Sequence, residues 1–209
     1  MPANGSLTFY HCPNSRSAGV RVLLEELGAP YELVALNLKT GETRQDKYLA
    51  VNPMGKVPAI VHNGALITEQ PAIYIYLADL FAEAGLAPQM GDPLRGPYLR
   101  WMVFYGSCFE PALVDKAMQR EAAPPSTSPY GDQATMLKTL TDQLSQGPYI
   151  LGEKFTAADV LWGGALNWTT MFNIVERTPL IGAYIDRVLA RPAFARAKSL
   201  DEGLVVKQG

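Results

Sequence analysis

Only two cysteines, Cys12 and Cys108, stand in this sequence of 209 residues, and they lie far apart. That excludes a disulfide framework and any paired-cysteine metal motif. His11 and His62 are the only histidines, so no zinc site or other metal is expected. Charge of one sign is equally scarce. The 18 basic and 20 acidic residues leave a net charge of -2 with no polybasic run, so neither nucleic acid nor a membrane surface is expected as a partner. No apolar stretch reaches the length of a membrane span. The opening Met-Pro-Ala-Asn-Gly-Ser has no basic segment followed by an apolar core, so no signal peptide is read and the protein is expected to be cytoplasmic.

What the chain does have is apolar content, 48% of its residues, enough to bury the core of one large domain or two small ones. Leu7-Thr8-Phe9-Tyr10 reads as a first strand. Val20, Leu23, Leu24 and Leu27 recur at helical spacing up to Gly28, and Tyr31-Glu32-Leu33-Val34 reads as a second strand. Strand, helix and strand at crossover spacing predict a parallel pair. A short helix over about 44–50 and a helix from Glu69, with Pro71 in its first turn and Ile73, Tyr76, Leu77, Leu80 and Phe81 on one face, complete a β-α-β-α-β-β-α order.

Glycine and proline cluster over about 85–97, and beyond them the chain reads as helical. Helices are predicted over 98–118, over 131–145 and through Ile181, Tyr184, Ile185, Val188 and Leu189, with a proline-rich loop at 122–129. Phe155-Thr156-Ala157-Ala158-Asp159-Val160 is a helix start, with Thr156 as N-cap, Asp159 reaching back from N3 and Phe155 against Val160 as a hydrophobic staple. The expected division is an α/β domain over 1–84 and an all-helical domain over 92–209.

The most informative stretch is 57–70. Pro58 opens an apolar strand, Ala59-Ile60-Val61, and Asn63-Gly64 turns the chain into a second one, Ala65-Leu66-Ile67-Thr68. A proline there removes a ladder donor. Two readings of this segment stand side by side: a trans proline at the start of an edge strand, or a cis Val57-Pro58 bond that turns the Val57 N–H and C=O outward to pair with an extended peptide.

Several segments together resemble the cytosolic glutathione S-transferases. They are the strand with its Ser/Cys-bearing loop, Leu23-Leu24-Glu25-Glu26-Leu27-Gly28, Asn52-Pro53-Met54-Gly55-Lys56-Val57-Pro58-Ala59-Ile60, Thr68-Glu69-Gln70-Pro71-Ala72-Ile73 and Phe155 to Asp159. The resemblance runs through nearly the whole chain. It implies a thioredoxin-like N-terminal domain, an all-α C-terminal domain, a homodimer, and glutathione as co-substrate at the edge of the N-terminal domain. It also implies that Pro58 is cis, that Val57, with Lys56 and Pro58 beside it, pairs with the cysteinyl unit, and that Glu69 and Gln70 hold the γ-glutamyl end. Gln70 departs from the family's usual serine, although its side chain can still donate a hydrogen bond. Glu69 and Gln70 as simple helix caps remain the alternative.

Catalysis requires a thiolate from a thiol whose pKa is about 8.5, so donors and positive potential are needed around the sulfur. They are expected in the loop His11-Cys12-Pro13-Asn14-Ser15-Arg16-Ser17. Ser15 is the first choice, with Ser17 and Asn14 as rivals, and each of the three has an N-cap reading as well. Arg16 stands where cysteine-using bacterial relatives have their cysteine, which points to a serine-type member, and it either adds positive potential to the glutathione site or is solvated. Tyr10 is kept in reserve. The runner-up reading is a glutaredoxin-like thiol transferase, because Cys12-Pro13-Asn14-Ser15 has the Cys-Pro-x-Ser form of the monothiol glutaredoxins, although Cys12 lies two residues too early to superpose. The third is a noncatalytic glutathione-binding or assembly protein. The apolar electrophile is expected between the domains, against Phe104, Tyr105 and Cys108.

Overall fold

The computed structural model describes residues 5–121 and 123–208. The first four residues, which carry part of the signal-peptide reading, and Ala122 of the proline-rich loop lie outside them. The chain divides into two compact units, one of residues 5–84 with 191–208 and one of the residues from 85 to 190.

The first unit carries strands β1 (Leu7–His11), β2 (Glu32–Ala35), β3 (Ala59–His62) and β4 (Ala65–Ile67), and helices α1 (Ser17–Leu27), α2 (Asp46–Leu49) and α3 (Gln70–Leu80). The sheet order is β2-β1-β3-β4. β1 runs parallel to β2, with Phe9 opposite Leu33, and antiparallel to β3, with Phe9 opposite Ile60; β3 and β4 pair antiparallel. This is the mixed sheet of a thioredoxin-like domain. α1 ends where Gly28 takes a left-handed φ of 61° and its N–H returns to the Leu24 carbonyl. Asn63 and Gly64 both have positive φ, as a two-residue turn between right-twisted strands requires. Phe9, Leu23, Leu24, Ile60, Ile73 and Leu77 are fully buried. On α3 the buried set also takes in Tyr74 and Ala78, while Tyr76 and Leu80 are only half-buried. The face is rotated toward Tyr74 from the one expected, and the Tyr76 hydroxyl lies at its margin, 2.6 Å from His62 Nδ1.

The second unit is helical: α4 (Arg95–Phe104), α5 (Glu110–Ala117), α6 (Gln133–Leu144), α7 (Ala157–Met171) and α8 (Pro179–Leu189). The continuous helix expected over 98–118 is interrupted by a π-helical turn, Tyr105–Phe109. Pro111 has no N–H to give the carbonyl four residues back, and its ring crowds that carbonyl, so an α-helical ladder cannot run through this point. Trp162 of α7 is the centre of the core. Its ring meets Trp101 at 5.8 Å, Tyr105 at 5.5 Å and Phe109 at 4.8 Å, and its Nε1–H donates to the Trp101 carbonyl. The capping box of Thr156 and Asp159 is present at the start of α7, and Phe155 packs edge-on against Tyr149.

The final helix, α9 (Pro192–Gln208), packs on α1 and falls in the first compact unit, whereas the expected division placed it with residues 92–209. Ala193 and Ala197 are buried, and Arg191 forms a two-pronged pair with Glu26 of α1, Nε and Nη2 each 2.7 Å from a carboxylate oxygen. Two small apolar residues one turn apart make too narrow a stripe to reveal this helix in the sequence.

Candidate active site

The loop from β1 into α1 is tied by a dense set of polar contacts. Ser17, the first residue of α1, is fully buried. Its Oγ lies 3.0 Å from the Cys12 carbonyl, accepts from the Cys12 N–H at 3.0 Å, and stands 2.8 Å from His11 Nδ1 and 2.7 Å from Ser15 Oγ. A hydroxyl has one proton and two lone pairs, so Ser17 is saturated. Ser15 is half-buried. Its Oγ lies 2.7 Å from the Cys12 carbonyl and accepts from the Ser17 N–H at 3.2 Å. Asn14 is exposed in a left-handed conformation with φ 57°.

Behind this loop lie groups that sequence reasoning did not assign. His11, fully buried, places Nε2 3.1 Å from an oxygen of Asp201 on α9, and the same oxygen receives Arg21 Nη1 at 2.6 Å. Burial alone would push the Asp201 carboxyl up, but its contacts with His11 and Arg21 outweigh that and hold it below the ordinary carboxylate value. No local signal joins residues 190 positions apart.

Cys12 is buried among Leu36 and Tyr48, with Tyr10, Val34, Val51 and Val57 around it. Burial, with the negative Glu42 adding to it, pushes its thiol up to about 11. At neutral pH it is therefore a protonated core residue without the nucleophilic form that thiol transfer requires. Tyr10 belongs to the same cluster, its ring 5.5 Å from that of Tyr48.

The Val57-Pro58 bond is cis. The peptide that precedes it is held by its carbonyl, since Lys56 C=O accepts from the Tyr48 hydroxyl at 2.6 Å and from Asn52 Nδ2 at 2.8 Å. In a trans amide the N–H points opposite to the C=O, so the Val57 N–H faces away from Tyr48 and Asn52. Neither it nor the Val57 C=O hydrogen-bonds to another described residue. Gly55 sets the turn, with φ 58° and a position where a Cβ would meet the Thr43 carbonyl at 2.7 Å. The Lys56 side chain is exposed and Pro58 is buried.

Glu69 caps α3 with φ 62°, its side chain exposed. Gln70 Nε2 donates to the Arg16 carbonyl at 3.2 Å, which joins the start of α3 to the start of α1. The fold thus gathers Ser15, Arg16, Ser17, Glu69 and Gln70 at two neighbouring helix N-termini, where free N–H groups favour a carboxylate. In the second unit, the Tyr105 hydroxyl donates to Glu110 at 2.7 Å and its ring lies buried against Trp162, whereas Phe104 and Cys108 keep some exposure.

A family model described as the N-terminal domain of glutathione S-transferase matches residues 5–79, and one described as its C-terminal domain matches residues 130–192. A glutathione S-transferase of Hyoscyamus muticus is 27% identical over 203 residues, covering 90% of this chain and 95% of the relative. Among solved structures, a glutathione transferase of Methylococcus capsulatus is 30% identical with a TM-score of 0.79, covering 94% of this chain and 98% of its own. The glutathione S-transferase of a sphingomonad, complexed with glutathione, is 30% identical with a TM-score of 0.77, covering 93% and 98%. Both halves of the sequence and nearly the whole backbone agree, and the chain belongs to the glutathione S-transferase family.

Proposed function

We propose that the chain is a glutathione transferase of the serine-using bacterial kind, in which Ser15 holds the thiolate of glutathione for attack on an apolar electrophile. Transfer of glutathione is the activity of its family, and glutathione is the co-substrate. The observation that carries the assignment to Ser15 is the contrast between the two serines: Ser17 is fully buried and its Oγ saturated, while Ser15, whose Oγ meets the Cys12 carbonyl, Ser17 Oγ and the Ser17 N–H, is only half-buried. Glutathione extends along Val57, between Lys56 and Pro58, and its N–H and C=O pair with the cysteinyl unit. Glu69, Gln70 and the helix N-termini hold the γ-glutamyl end, with Arg16 adding positive charge. Phe104 and Cys108 offer surface to the electrophile, and Tyr105 supports them from the core.

The protein is further proposed to act in the cytoplasm as a homodimer. Sedimentation should give twice the 22.8 kDa of one chain, and a monomer at micromolar concentration would refute this. Among the described residues no helix is long and apolar enough to cross a membrane.

Ser15→Ala should lower kcat/KM roughly ten- to a hundred-fold, the loss of about 1.5–3 kcal/mol for a hydrogen bond to a charged group. The thiolate absorbance of bound glutathione should fall with it. Full activity in this variant would move the role to Asn14 or to backbone amides.

A further inference from the structure

The polar groups behind Ser15 form an unbroken line: Ser15 Oγ to Ser17 Oγ 2.7 Å, Ser17 Oγ to His11 Nδ1 2.8 Å, and His11 Nε2 to Asp201 Oδ1 3.1 Å. The direction of each proton follows from the far end. Asp201 is an acceptor only, and Arg21 on the same oxygen keeps it so, which places the imidazole proton on Nε2. In the neutral imidazole Nδ1 is then an acceptor, and the Ser17 hydroxyl lies within its reach at 2.8 Å. Ser17 then donates to His11 at 2.8 Å in place of the Cys12 carbonyl at 3.0 Å, and its lone pairs face the Cys12 N–H and the Ser15 hydroxyl. The Ser15 proton therefore points inward, to Ser17 or to the Cys12 carbonyl, each at 2.7 Å. With one Ser15 lone pair taken by the Ser17 N–H at 3.2 Å, the other is left, suited to receive a proton rather than to give one.

We propose that Ser15, Ser17 and His11 are a proton relay that carries the thiol proton of glutathione inward to the His11–Asp201 pair. This rests on the reading of Ser15 as the group in contact with the sulfur. The sulfur–hydrogen bond breaks, its electron pair stays on sulfur and the proton joins Ser15 Oγ. The Ser15 proton passes to Ser17 Oγ, and the Ser17 proton to His11 Nδ1. A neutral thiol and a neutral imidazole become a thiolate and an imidazolium, with the Asp201 carboxylate against the new charge. Every hydrogen bond in the line then reverses: His11 donates to Ser17, Ser17 to Ser15, and Ser15 to the thiolate. One movement both removes the proton and leaves a donor on the sulfur. His11, Ser17 and Asp201 act only through Ser15 and are positioning residues in this scheme. Among the described residues the charged groups set against His11 are Asp201 from α9 and, on the same carboxylate oxygen, Arg21 from α1; the Cys12 thiol next to it in the chain packs among Leu36 and Tyr48.

The unaltered protein provides the decisive test. Glutathione binding is followed by calorimetry in two buffers of different ionisation heat and by the imidazole NMR signals, of which the chain has only two, His11 and His62. The relay requires that thiolate form without a matching release of protons to buffer, and that His11 take up a proton on binding. Asp201→Asn keeps an acceptor for Nε2–H but removes the charge. It should lower the bound thiolate fraction at neutral pH about tenfold or more, as its pKa moves back toward the free thiol's, with glutathione affinity changed far less. If thiolate forms, is lost in Ser15→Ala, and yet its proton appears in the buffer while His11 stays neutral, the relay is overturned and the role of Ser15 stands. If thiolate persists undiminished in Ser15→Ala, the reading of Ser15 fails and takes the relay with it.

Discussion

A serine at the start of a helix has two occupations, accepting from a backbone N–H and donating to a ligand, and which one prevails depends on how many partners already surround its oxygen. Ser17 has four polar atoms about its oxygen and no exposed surface; Ser15 is only half-buried. The two should therefore fail differently. Ser17→Ala leaves the buried Cys12 N–H and one nitrogen of His11 without their partner, a stability loss of about 1–3 kcal/mol that urea unfolding would measure. Ser15→Ala should change stability far less than activity. That this loop offers serines to a thiol was legible in the residue types. Which of them is buried and saturated was not, because the difference lies in contacts made by His11 at the end of the preceding strand and by Cys12 just after it.

At the level of elements, the start of α7 shows how far local sequence reaches. Thr156 and Asp159 form the capping box that their spacing predicts, since the box is closed by residues three apart. The remaining partners of Asp159 come from elsewhere: the Ile150 N–H at 2.7 Å and the Tyr184 hydroxyl of α8 at 2.9 Å. Burial pushes this carboxyl up to about 6 even though these donors pull the other way. Its value in the unfolded chain is lower, 3.8, so the folded state binds the proton more tightly. The contribution is then complete below pH 4 and declines as the pH rises toward 6. Stability measured across that range should fall less steeply for Asp159→Asn than for the wild type. Asp159→Ala, which strands several buried donors, should lose about 3 kcal/mol or more at any pH. The π turn at Tyr105–Phe109 and the attachment of α9 to α1 were not legible in the same way. The first depends on Pro111 acting four residues back, and the second on ion pairs between opposite ends of the chain.

At the scale of the whole molecule, both cysteines are free. The melting temperature should therefore be indifferent to reductant. A thiol reagent applied to the native protein should modify Cys108 and spare Cys12, which is buried and held protonated, and both should react after unfolding. Rapid labelling of Cys12 in the folded state would revive the thiol-transferase reading that its burial argues against.

Periodicity and the placement of proline and glycine determined the order of elements, and the resemblance carried by a few short motifs implied the thioredoxin-like unit with its helical companion and the cis proline beside Val57. These depend on neighbours within a turn or a hairpin, which the sequence displays directly. Tertiary structure decided what each polar group does. It turned Cys12 into core, saturated Ser17, held the Lys56 carbonyl so that the Val57 N–H faces outward, and brought Asp201 of the last helix to His11 of the first strand. A side chain's chemistry is set by the donors, acceptors and burial around it, and in this protein those partners come from elements that only folding brings together.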